Sequence, residues 1–142
     1  MELWSDDFKD GEAIPDKCAY KKENISPHLA WKDVPEGTES FALICNDPDA
    51  PIGNWQHWLV HAIPSDIRSI AAGAPVPGKE VENDYDEAAY GGPAPPSGTH
   101  RYFFTLYALD VPELKRPSKG NFRELCEKHM IEKAQIMGTY SA

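Results

Sequence analysis

Ser40-Phe41-Ala42-Leu43-Ile44-Cys45-Asn46-Asp47-Pro48-Asp49-Ala50-Pro51-Ile52-Gly53-Asn54-Trp55-Gln56-His57-Trp58-Leu59-Val60-His61-Ala62-Ile63 holds two runs of strand-forming residues on either side of a proline-stiffened loop. Residues 40–46 and 55–63 have the length and the aliphatic, β-branched and aromatic content of strands, and residues 34–49 carry no helical period. Between them the prolines hold φ near −65°, and Ile52-Gly53-Asn54 is a turn signal, so the pair reads as strand, stiff loop, strand.

Outward from this pair the same signals recur. Leu29-Ala30-Trp31 precedes the turn Pro35-Glu36-Gly37, residues 100–109 form an aromatic-rich run, and residues 133–140 suit a closing strand. One helix is expected, because Asn121 and Glu124 stand in capping-box spacing before Leu125, Cys126, Lys128 and His129, ending near Met130. The fold class is therefore mainly β and antiparallel with one short C-terminal helix. The 142 residues suit a single domain spanning 1–142.

Composition excludes several partners. The 13 prolines and 10 glycines accompany 41% hydrophobic residues, which marks a loop-rich globular chain rather than a disordered one. A net charge of −9, with only isolated pairs at Lys21-Lys22 and Lys115-Arg116, leaves no basic stripe for nucleic acid. No apolar run approaches the ~20 residues that span a bilayer, and the first seven residues lack the pattern of a secretory signal. Cys18, Cys45 and Cys126 show no CxxC spacing and read as reduced, buried thiols of a cytoplasmic protein.

The polar residues that could do chemistry lie on or beside the stiff loops. On a strand His57 and His61 would be about 13 Å apart, too far to share a metal ion, so His61 reads as a hydrogen-bonded structural residue and His57 as the functional candidate. His100 and Tyr102 share one strand face about 6.6 Å apart, a spacing able to grip one small polar group, with Arg101 opposite. Asp47 is expected to orient His57, and Asp49 to pair with Arg101. The carboxylates at Glu80, Glu82, Asp84, Asp86 and Glu87 lack EF-hand spacing and read as a solvated loop.

At these residues the chain resembles the phosphatidylethanolamine-binding protein family, also called Raf kinase inhibitor-like proteins, and especially its short bacterial and archaeal branch. The likeness runs from Ser26-Pro27-His28-Leu29-Ala30-Trp31 through Asp47-Pro48-Asp49-Ala50-Pro51 and Trp55-Gln56-His57-Trp58 to Gly98-Thr99-His100-Arg101-Tyr102 and Met137-Gly138-Thr139-Tyr140. It implies a large antiparallel sheet with Greek-key connections and a shallow anion pocket at one sheet end. The pocket residues it implies are Asp47, Asp49, Trp55, His57, His100 and Tyr102, with the backbone at Ala94 closing the site. Position 94 departs from the family, whose prokaryotic members often carry cysteine there and animal members glycine.

The functional expectation is a cytoplasmic small-anion or phosphate-head-group binding protein acting as a regulator or inhibitor. No catalytic residue, metal or cofactor is assigned, and the partner expected is a phosphate-like anion or phosphorylated small molecule. Two alternatives stay open. One is an interaction module that inhibits a protein kinase or protease through the pocket rim; the other is a hydrolase using Asp47, His57 and His100. Self-association is compatible with the short branch, while nucleic acid and stable membrane insertion are not expected.

Overall fold

The computed structural model describes residues 1–142. In chain order the strands are β1 (Glu2–Trp4), β2 (Leu29–Lys32), β3 (Ser40–Asp47), β4 (Trp55–Pro64), β5 (Ser69–Ile70), β6 (Lys79–Val81), β7 (Thr99–Leu109) and β8 (Met130–Ser141). The helix α1 (Phe122–His129) runs directly into β8, and a single 3-10 turn covers Asp16–Cys18. Two antiparallel sheets result, a three-stranded one ordered β1-β2-β5 and a five-stranded one ordered β6-β4-β3-β7-β8. In the larger sheet β3, β4 and β6 follow one another while β7 returns by a long connection to lie beside β3, which is Greek-key order.

All eight residues of β3 are buried, which explains the uninterrupted run from Phe41 to Cys45: the strand lies at the sheet centre and is covered on both faces. On one face Phe41, Leu43, Cys45, Trp58, Val60, Tyr102, Phe104 and Leu106 pack with the small sheet and the N-terminal segment through Leu3, Phe8, Leu29 and Trp31. On the other, Ala42, Ile44, Leu59, Tyr107 and Leu109 pack beneath Phe122 and Cys126 of α1. Each face buries several large side chains, at roughly 1.5–3 kcal/mol apiece relative to exposure.

The helix begins where expected, but not by the expected cap. Asn121 Oδ1 accepts the Ser118 N–H at 2.7 Å and Asn121 Nδ2 donates to the Arg116 carbonyl at 3.3 Å, so its side chain ties the preceding turn and caps no helical N–H. Cys18, Cys45 and Cys126 are all buried and free, and burial raises all three thiols, Cys18 to about 11 and Cys126 to about 12.

Candidate functional site

Three strand ends and the loops around them build the site. Asp47 ends β3, Trp55 and His57 open β4, and His100 and Tyr102 lie among the first residues of β7, so the antiparallel order brings all five to one end of the large sheet. A pairing irregularity decides which way His57 faces. Cys45 pairs with Trp58 but Asn46 pairs with Gln56, which leaves His57 as the extra residue of a β-bulge. Strict alternation back from Val60 and Trp58 would turn His57 toward the helix side; the bulge instead sets its ring edge-on to Tyr102, with centroids 5.2 Å apart.

A cavity of about 270 Å³ lies among these residues, lined by Asp47, Trp55, His57, His100 and Tyr102 with Tyr85 and Ala94, and rimmed by Ala50, Pro51, Ile52, Pro95 and Pro96. Asp47, His57, His100 and Tyr102 are all buried. Within residues 93–96 Ala94 is the one position that is not proline, so it carries the only backbone N–H of that wall.

The expected pairing of Asp47 with His57 is corrected by the geometry. Asp47 Oδ2 instead accepts from His100 Nδ1 at 2.6 Å, while its Oδ1 accepts the Asp49 backbone N–H at 2.7 Å. The bulge places His57 against the 91–92 loop, where its Nδ1 donates to the Gly91 carbonyl at 2.7 Å and the Gly91 N–H returns a bond to the His57 carbonyl at 3.0 Å. Burial lowers the His57 pKa, partly offset by the Gly91 carbonyl and the Asp47 charge. Neutral His57 with its proton on Nδ1 therefore presents a lone pair on Nε2, and becomes a second donor only on protonation.

Tyr102 is 1% exposed and its hydroxyl finds no hydrogen-bond partner in the protein; the Trp55 indole N–H is likewise buried and unpartnered. Burial raises the Tyr102 phenol far above its ordinary value, so it remains a donor. Asp49 lies outside the cavity lining. Arg101 takes its carboxylate with Nε at 2.9 Å and Nη2 at 2.8 Å, and the Arg101 backbone N–H adds a third bond at 3.0 Å. The sequence expectation of an Asp49–Arg101 pair holds.

Tyr85 is the lining residue that sequence reasoning missed, being hidden in the acidic segment read as a solvated loop. It stacks on Tyr20 with centroids 4.0 Å apart, meets His57 and Trp55 edge-on, and donates its hydroxyl to the Gly92 carbonyl at 2.9 Å. The loop is ordered by Asn83, fully buried, whose amide donates to the His57 and Ala89 carbonyls and accepts the Tyr85 and Glu87 N–H groups. Gly91 has to be glycine for this packing: a Cβ there would lie 2.4 Å from the Tyr85 ring. A lone tyrosine and asparagine between carboxylates was the available signal.

The family model for phosphatidylethanolamine-binding protein matches residues 4–141. This chain belongs to that family. Among its relatives, a UPF0098 protein from Aquifex aeolicus is 44% identical over 99% of this chain and 88% of its own length. YbhB of Escherichia coli, also a UPF0098 protein, is 44% identical over 78% of this chain and 79% of its own. The crystal structure of a phosphatidylethanolamine-binding protein homologue from Chlamydia trachomatis superimposes with a TM-score of 0.91 at 36% identity, covering 99% of this chain and 97% of that one. Escherichia coli YbcL, described as a member of the mammalian family, gives 0.93 at 30% identity, covering 99% and 98%. Family membership and the mainly β fold agree with the sequence reading. No helix is long and apolar enough to cross a membrane.

Proposed function

We propose that the protein binds a phosphate-like oxyanion, free or at the head of a small phosphorylated molecule, in the cavity between His57, His100 and Tyr102, and serves as a cytoplasmic regulator through that ligand. The observation that carries this reading is the Tyr102 hydroxyl, a buried donor without a protein partner in a cavity lined by two buried imidazoles. Leaving such a donor unsatisfied costs about 1–3 kcal/mol, and an anionic oxygen in the cavity would remove that cost. Asp47 fixes the Nδ1 proton of His100 and Gly91 that of His57, so each ring turns Nε2 to the ligand as a donor only when it takes up a second proton. Charge-assisted bonds of this kind contribute roughly 1.5–3 kcal/mol each. Distant carboxylates do not oppose binding, because screening acts over about 8 Å. The three buried, free thiols suit a reducing compartment.

The test is an NMR titration of the histidine ring signals with inorganic phosphate and O-phosphoethanolamine. Saturable shifts at His57 and His100, lost in His57→Ala and His100→Ala, are expected. A flat response to tens of millimolar ligand overturns the reading. In that event a rim that docks a partner protein takes its place, supported by Ile52, 80% exposed beside Pro51 at the cavity mouth. Ile52→Glu would then abolish inhibition of the partner kinase or protease.

A further inference from the structure

At the far end of β4, on the helix side of the large sheet, lies a second polar cavity of about 440 Å³, lined by His61, Lys79, Glu113, Leu114, Lys115, Arg116 and Pro117. His61 is 4% exposed, its ring edge-on to Phe122 with centroids 6.3 Å apart. Its Nδ1 accepts the Leu114 backbone N–H at 3.1 Å. An acceptor Nδ1 places the proton of the neutral ring on Nε2, so His61 carries a fixed N–H donor, and that nitrogen has no partner in the protein. His61 is thus the tautomeric opposite of His57, and a donor without needing a second proton.

The cations around it are placed by the fold. Lys79 on β6 stands directly across the ladder from His61. Its charge is matched by Glu113, whose Oε2 lies 2.5 Å from Lys79 Nζ. Lys115 and Arg116 follow, and neither side chain makes a hydrogen bond or ion pair within the protein. The loop that carries them is built: Arg116 sits at φ 53° and its carbonyl is held by Asn121 Nδ2. With Lys79 and Glu113 cancelling, the cavity holds two uncompensated positive charges in a chain of net charge −9.

We propose that this cavity is a second oxyanion site, separate from the one at His57, in which His61 Nε2–H, Lys115 and Arg116 bind a phosphate or phosphate monoester. Two unpaired cations beside a neutral N–H match a group carrying about −1.5 to −2 charges near pH 7 better than a single carboxylate. The guanidinium adds a planar fork suited to two phosphate oxygens. Glu113 faces the same cavity and opposes the anion, its charge held by Lys79.

The test follows the His61 ring signals by NMR as inorganic phosphate is added to the full chain at pH 7.5, with sodium chloride holding the ionic strength constant. A saturable His61 shift is expected, weakened at least tenfold in Lys115→Gln/Arg116→Gln, whose exposed side chains play no part in packing. Glu113→Gln, which removes the opposing carboxylate and frees Lys79, should tighten the site several-fold. No saturable shift by 50 mM phosphate, a shift that chloride alone reproduces, or an unchanged curve in the double variant overturns the proposal. The His57 signals in the same spectra report on the first cavity, so failure of one site is read apart from failure of the other.

Discussion

Asp47 Oδ2 and His100 Nδ1 lie 2.6 Å apart in a buried pair, the two side chains only 4% and 9% exposed. The pair fastens the end of β3 to the start of β7, and the second Asp47 oxygen closes the proline loop on the Asp49 N–H. Asp47 therefore accepts from two donors at once, which an amide of the same shape cannot do. Asp47→Asn is expected to leave one donor facing an NH₂ group, costing about 1–3 kcal/mol of stability in urea unfolding. Loss of the charged acceptor at Nδ1 should also shift the His100 imidazole ¹⁵N signals. An unchanged unfolding midpoint would contradict this role.

Tyr102 separates function from stability. Its hydroxyl is buried without a partner, so Tyr102→Phe removes an unsatisfied group while keeping the ring that packs against His57. Stability should hold or rise, by about 1 kcal/mol at most, while phosphate affinity falls about tenfold, equivalent to about 1.4 kcal/mol. Calorimetry of phosphate binding beside thermal unfolding checks both. A less stable variant with unaltered affinity would mean that the hydroxyl serves packing alone.

Anion affinity should depend on the His57 proton. Burial lowers the pKa of His57 in the free protein, and a bound anion near Nε2 favours the charged ring and raises it. Binding then takes up a proton, so affinity climbs as pH falls from 8 toward 5 and levels off once the free protein is itself protonated at His57. Sulfate is the suitable probe because it stays a dianion across this range. His57→Gln should flatten the slope; an equally steep slope in that variant would place the titrating group elsewhere.

Much of this architecture is legible in the chain because its signals are local. Runs of strand formers between proline and glycine turns locate β2, β3, β4, β7 and the later part of β8 to within a few residues. The short strands β1, β5 and β6 carry too few residues for a periodic signal and exist through their partners. The site divides in the same way. His100 and Tyr102 share a face by simple alternation, and Asp49 finds Arg101, but the Asp47 partner turns on a bulge that only the register between β3 and β4 reveals. Tyr85 enters the cavity through the Asn83 hub and the close approach of Gly91, contacts made across the fold.

The Asp49–Arg101 pair gives a stability effect with a defined pH window. Arg101 lowers the Asp49 carboxyl to about 2, first through the guanidinium hydrogen bonds and then through its backbone N–H and its charge. A folded-state pKa below the unfolded value of about 3.9 means that the unfolded chain binds more protons between these values. The stabilisation is therefore complete above about pH 4 to 5 and disappears as pH falls toward 2. Both side chains are partly exposed, which keeps the effect small and salt-sensitive. Asp49→Asn should lower the thermal midpoint by a few degrees at pH 7 in low salt, by less in 1 M salt, and converge with the unmodified protein near pH 2. Because Asp49 lies outside the cavity lining, phosphate affinity should stay within about twofold. Lost affinity at an unchanged midpoint would return Asp49 to the ligand and overturn its structural assignment.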